Sequence, residues 1–202
     1  MGKKGARSAR GHTLVECAVA LAVGGVVAVL ALPSLNGLRE RAQVHGACRE
    51  LAAQLRLTRS RSIAEARSLA LVFDRDARGW SYRLFADGDG DGVRSDDRAN
   101  GTDPPLGPSA RLADHWEGVD LGFPALPRVR RLPPSTGWLG SLTDPVVFGA
   151  TDVVSFSPLG DASSGSLFVT DGRACAAAIV LYGPTARLRV YRYDVAREDW
   201  TP

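Results

Sequence analysis

One carboxylate in this chain is more constrained by its neighbours than any other ionisable group. From Thr13 to Leu35, Glu16 is the only charged side chain, and the run Cys17 to Leu32 holds no strongly polar group. A carboxylate in hydrocarbon costs at least about 2.5 kcal/mol and demands a partner. No Lys or Arg within the run supplies one; Lys3, Lys4, Arg7 and Arg10 all precede Gly11. Cleavage after Gly11 would make His12 a new amino terminus, a cation about one helical turn from Glu16. That ammonium could meet the carboxylate within one subunit or between neighbours.

Two other groupings have spacing that could do chemistry. Asp87, Asp89 and Asp91 alternate with glycine, as at the start of a calcium loop. A full loop closes on a bidentate acid at its twelfth position, which is Arg98 here, so Asp97, just short of it, would have to serve. An acidic turn between strands is the competing reading. Arg187 and Arg189, two residues apart, share one face of a strand. With Arg173, Arg192 and Arg197 they could form a patch for DNA phosphates, salt-sensitive and largely indifferent to sequence. A solvated face interleaved with Asp194, Glu198 and Asp199 is the alternative. Nothing forms a catalytic constellation. His12, His45 and His115 are isolated, and no serine lies in a strand–Ser–helix setting, so the chain does not read as an enzyme.

These residues need positioning, and the apolar run supplies the first element. About 20 apolar residues at 1.5 Å each cross a 30 Å bilayer core, so residues 13–35 are expected to form one membrane helix. Basic residues before it stay cytoplasmic, which puts the rest of the chain outside. A secretory signal peptide would need a small-x-small cleavage site, and Val29 before Ala31 is a poor fit. A plain single-pass anchor is the other alternative.

Of the 202 residues, 45% are hydrophobic and 23% charged, an ordinary globular balance. The formal charge of +3 misleads, because four of the 25 basic residues precede Gly11; the remaining 21 face 22 acidic residues. Bulk charge therefore gives residues 12–202 no drive toward nucleic acid. Cys17 reads as a small apolar residue. Cys48 and Cys175 would share an oxidising compartment, where a disulfide and a pair of free thiols are both open.

Residues 12–65 are expected to form one long helix, with residues 36–65 its soluble half. Val44, Cys48, Leu51 and Leu55, with Ala47 and Ala52 beside them, make a narrow apolar stripe fit to lie across a sheet. Residues 66–202 read as β-rich. Ser68–Phe73 and Trp80–Phe85 form a hairpin across Asp76–Gly79. Residues 86–109 form a loop, and Val119–Phe123 a strand. The prolines at 124, 127, 133, 134 and 145 preclude long regular structure. Val153–Phe156, Ser166–Val169, Ala177–Tyr182 and Ala186–Tyr193 are the remaining strands.

A basic leader, Gly11, then His12-Thr-Leu-Val-Glu16 and an apolar helix resembles the class III signal peptide of type IV pilins and type II secretion pseudopilins. The resemblance implies a pilin-like α+β fold, a long helix packed on an antiparallel sheet. It implies cleavage by a prepilin peptidase between Gly11 and His12, N-methylation of His12, and assembly with other pilins through Glu16. It puts a helix-kinking proline at Pro33. The family's usual Phe is His12 here. Residues 50–64 and Phe156-Ser-Pro-Leu-Gly160 resemble the end of the long helix and a Phe-x-Pro-x-Gly turn of the GspH/FimT branch. That implies a minor subunit near the tip of a type II secretion pseudopilus or a type IV pilus. It would be held in the inner membrane by one pass, with its domain in the periplasm. The FimT-like members are thought to bind DNA for uptake through a Gly-Arg-x-Arg stretch; Ala186-Arg-Leu-Arg189 matches it except at the glycine.

Overall fold

The computed structural model describes residues 13–202, except the side chains of 27–36. The expected leader and the Gly11–His12 junction lie outside the described residues. One helix, α1, runs Leu14–Glu65 and continues through position 33, whose side chain is outside that set. The chain divides at Arg39/Glu40 into two units.

In the first unit the described apolar side chains have nothing packed on them. Leu14, Val15, Val19, Leu21, Val23 and Val26 are all exposed, Leu14 by 86% and Leu21 by 78%. Among the described residues, no helix is long and apolar enough to cross a membrane. The span expected over 13–35 includes side chains that lie outside them.

The second unit is α+β. The sequence stripe is the buried face of its helix: Val44, Ala47, Cys48, Leu51, Ala52 and Leu55 are at or near zero exposure. Three small residues in that stripe let the sheets approach the helix backbone closely, while Leu51 and Leu55 fill the layer between. Full burial of each leucine is worth roughly 1.5–3 kcal/mol. The stripe lies in one cluster with Leu71, Phe73, Tyr82, Val154 and Phe156, and with Val169, Ile179 and Leu181.

The first group comes from a three-stranded antiparallel sheet, order β2-β1-β5. Here β1 is Leu69–Asp76, β2 Gly79–Ala86 and β5 Val153–Phe156. The β1–β2 turn is two residues, Ala77-Arg78, tighter than the four expected. The second group comes from a six-stranded sheet of β3 (Asp120–Leu121), β6 (Gly165–Thr170), β7 (Ala176–Tyr182), β8 (Arg187–Asp194) and β9 (Asp199–Thr201), with β4 (Val146–Val147) also on β6.

This larger sheet is covered on both faces. Leu167, Val169, Ala177, Ile179 and Leu181 point to the helix cluster. Phe168, Ala176, Ala178, Tyr191 and Tyr193 point away, into a second core with Val129 and Trp200. Its cover is the proline-rich segment, through Phe123, Leu126, Leu132, Leu139 and Leu142. Trp200 ties sheet to cover by donating Nε1–H to Arg130 O at 2.7 Å. The segment expected to be irregular is therefore a packed layer without regular structure.

Three further expectations are corrected. The loop expected over 86–109 holds a short helix, α2 (Ser95–Asn100), and returns along β2 through bridges at Phe85–Pro105 and Tyr82–Ala110. The strand expected over 119–123 shrinks to Asp120–Leu121, because Gly122 and Pro124 lead straight into the covering layer. Cys48 and Cys175 are both free thiols. Cys48 is fully buried against the sheet, with its thiol pushed up to about 12 by that burial.

Candidate functional site

The amino-terminal site is built by the first turn of α1. Thr13 stands just before the helix and Glu16 is its third residue. The Thr13 backbone N–H donates to Glu16 Oε2 at 2.9 Å, and the Thr13 hydroxyl lies 3.3 Å from the same oxygen. In return the Glu16 N–H donates to Thr13 Oγ1 at 3.2 Å. This is a reciprocal capping box, which satisfies donors that the helix itself cannot. The Thr-x-x-Glu spacing was in the sequence but had been read only for its charge. The cap aims the carboxylate back toward the chain that precedes the helix, the direction in which an amine at His12 would lie. Gly11, His12 and Pro33 are outside the described residues or side chains, so the structure leaves their expected roles as expectations.

The acidic loop is brought together in part. Asp87, Asp89 and Asp91 each offer one oxygen within 4.8 Å of the others. Asp97 is not in that group. It belongs to α2, where its backbone carbonyl accepts the N–H groups of Gly101 and Asp103, both at 3.0 Å. Asp87 is buried, and its two oxygens accept backbone N–H bonds from Gly90 at 2.7 Å and Gly92 at 3.0 Å. Asp103, fully buried, does the same for Gly88 and Arg94. Two carboxylates thus hold the loop by its own backbone, as Asx turns do.

The arginine grouping is split. Arg187 and Arg189 are exposed on one face of β8, beside a cavity of about 250 Å3 lined by Pro133, Pro134, Tyr182 and Tyr191. Strand parity puts Arg192 on the opposite face, the helix side with Leu188 and Val190. Arg173 pairs with Glu40 at 2.7 Å, and Arg197 lies 3.5 Å from Asp194. The expected extension of the patch by Arg173, Arg192 and Arg197 is therefore corrected. Ala186 holds φ at 46°, a left-handed conformation that glycine adopts without cost. The place where the resembled motif has glycine is a place where the backbone favours one.

The segments 50–64 and 156–160 meet in space. Arg59 Nε donates to Gly160 O at 3.0 Å, and the Ser62 hydroxyl lies 2.9 Å from Phe156 O. Farther along the helix is a clamp that the sequence did not reveal. Glu50 accepts Trp116 Nε1–H at 2.8 Å on one oxygen and meets His115 Nδ1 at 3.0 Å on the other. That carboxylate raises the His115 pKa above its ordinary 6.5. A raised folded value means stability that is present below about pH 6.5 and lost as pH rises through the folded value. Thermal unfolding of the full-length chain from pH 5 to 8 is expected to show that decline, and His115→Gln to flatten it.

A family model described as the prokaryotic N-terminal methylation motif matches residues 6–32. No curated protein and no solved structure matches the chain. The match covers the basic leader and the apolar run and contains Gly11, His12, Thr13 and Glu16. The chain therefore carries the amino-terminal signal of type IV pilin-like proteins, which are processed by a prepilin peptidase and act as structural subunits.

Proposed function

We propose that this chain is a minor subunit of the GspH/FimT type, in a type II secretion pseudopilus or a type IV pilus. A prepilin peptidase removes residues 1–11 and methylates His12. Residues 12–35 hold the protein in the inner membrane, with residues 66–202 in the periplasm, until the same helix joins the filament. The observation that carries this reading is the Glu16 carboxylate, capped by Thr13 at the head of an apolar helix on which nothing packs. Such a helix buries itself only in lipid or among other helices. Its carboxylate then requires a cation, which the amine of a cleaved neighbour supplies. Mass spectrometry of protein purified from cells tests this directly. The expected amino terminus is methylated His12. A chain that still begins at Met1 would refute the reading.

A second reading, DNA binding on the same scaffold, is favoured by one feature. Arg187 and Arg189 stand free on the strand face beside Tyr182, which is 57% exposed. Guanidinium groups suit phosphates, and an exposed ring offers a stacking surface for a base. The full-length chain in detergent is expected to retard single-stranded DNA at low salt and to lose at least tenfold in affinity with Arg187→Ala and Arg189→Ala together. No retardation in 20 mM salt removes this reading and leaves the first intact.

A further inference from the structure

A cavity of about 590 Å3 opens between the start of the domain helix and the β8–β9 end of the larger sheet. Arg41, His45, Cys175, Arg192 and Asp194 line it. Arg41 and Arg192 are exposed and His45 is half-buried. Neither of these arginines, nor Arg49 on the same helix face, has an ion-pair partner among the described residues. The nearby carboxylates are already engaged. Asp194 accepts the backbone N–H groups of Ala196 and Arg197 at 3.0 and 3.3 Å, and Glu40 holds Arg173. Burial, followed by the charges of Arg192, Arg49 and Arg41, keeps His45 below its ordinary value. Positive charge therefore converges here with nothing in the domain to answer it.

The opposite charge lies at the other end of the same unit. The Asp87 N–H donates to Ser68 O at 3.0 Å, just beyond the end of α1 at Glu65, so the acidic loop starts there. Asp89, Asp91 and Asp96 are exposed on it, and only Arg94 and Arg98 offset them within residues 87–98. The helix from His45 to Glu65 covers roughly 30 Å at 1.5 Å per residue. The loop cannot reach the cavity of its own chain.

We propose that this cavity receives the Asp89–Asp96 loop of a second copy of the chain, so that copies meet head to tail. The inference rests on the filament reading above. A basic end and an acidic end on one molecule make a heterologous contact, which repeats along a line instead of closing on itself. Exposed charges of this kind set encounter and register more than affinity.

Cysteine cross-linking in cells tests it. Full-length chains carrying Asp91→Cys and Cys17→Ser are expected to form disulfide-linked dimers under mild oxidation, through Cys175 at the neighbouring cavity. Adding Cys175→Ser should abolish them. Separately, Arg192→Glu is expected to lower filament incorporation several-fold, and Asp91→Arg in the same chain to restore it. Processed protein that yields no Cys175-dependent dimer overturns the proposal while leaving the filament reading standing; an unprocessed amino terminus overturns that reading instead. Loss with Arg192→Glu that Asp91→Arg does not restore assigns the cavity to a different acidic partner and likewise overturns it. Unchanged thermal unfolding of each variant excludes misfolding as the cause.

Discussion

Filaments are expected to exclude Glu16→Ala subunits by more than tenfold, although the variant is still made, inserted and cleaved. Two losses combine in that substitution. One is the capping box with Thr13, where such a cap is worth roughly 0.5–2 kcal/mol. The other is the negative charge offered to a neighbour's amine. Glu16→Gln separates them, because a glutamine oxygen can still accept the Thr13 N–H while carrying no charge. If charge pairing drives assembly, Gln behaves like Ala in filament incorporation and like wild type in helix content. If Gln assembles normally, the carboxylate is only a cap. Immunoblotting of sheared filaments against membrane fractions, with the amino terminus checked by mass spectrometry, reads all three variants.

Gly46→Ala is expected to destabilise the domain by about 2–3 kcal/mol, in the range found for overpacked cores. A Cβ at position 46 would sit 2.2 Å from Cη2 and 2.3 Å from Cζ3 of Trp116. The indole cannot step aside cheaply. Its Nε1–H is held by Glu50 and its backbone N–H by Leu112 O at 2.9 Å. Moving it breaks a hydrogen bond to a carboxylate, which is worth about 1.5–3 kcal/mol. For a domain of this size the loss corresponds to a fall of about 5–10 °C in Tm. Near-ultraviolet circular dichroism of the full-length chain in detergent measures it. Trp116→Ala should cost much less in the Gly46→Ala background than in wild type, because the clash and its cause share one contact. Additive losses would show that the ring already yields.

Elements with a strong period were legible in the sequence. The stripe from Val44 to Leu55 repeats at helical spacing because one side of α1 meets two sheets. β5 to β8 were legible from their apolar runs and the turns between them. β9 was missed because Asp199-Trp-Thr201 is only three residues among charges, with Trp200 its one sign of burial. α2 has no buried residue, so it leaves no apolar pattern. The outer layer gives no period, since turns carry its leucines. Arg192 was a misread parity: period two puts residues 187, 189, 191 and 193 on one face and 192 on the other. The Glu50–Trp116 clamp joins positions 66 apart in sequence, and no local signal pairs them. Glu16 was legible because a charge in an uncharged run contradicts its surroundings, whereas the cap beside it is an ordinary local bond that contradicts nothing.

The two-sided sheet has a consequence for the order in which the chain can fold during synthesis. The helix stripe is complete at Leu55, yet Ile179 and Leu181, which cover it, are made more than a hundred residues later. The outer layer waits longer still, since Trp200 closes it. A nascent chain therefore carries a bare leucine-lined helix, then a bare proline-rich apolar segment, until its last strands emerge. Long-range pairing of this sort is slow and leaves greasy surfaces open to wrong partners. The growing polypeptide is thus a natural client for a holdase chaperone until Trp200 seats.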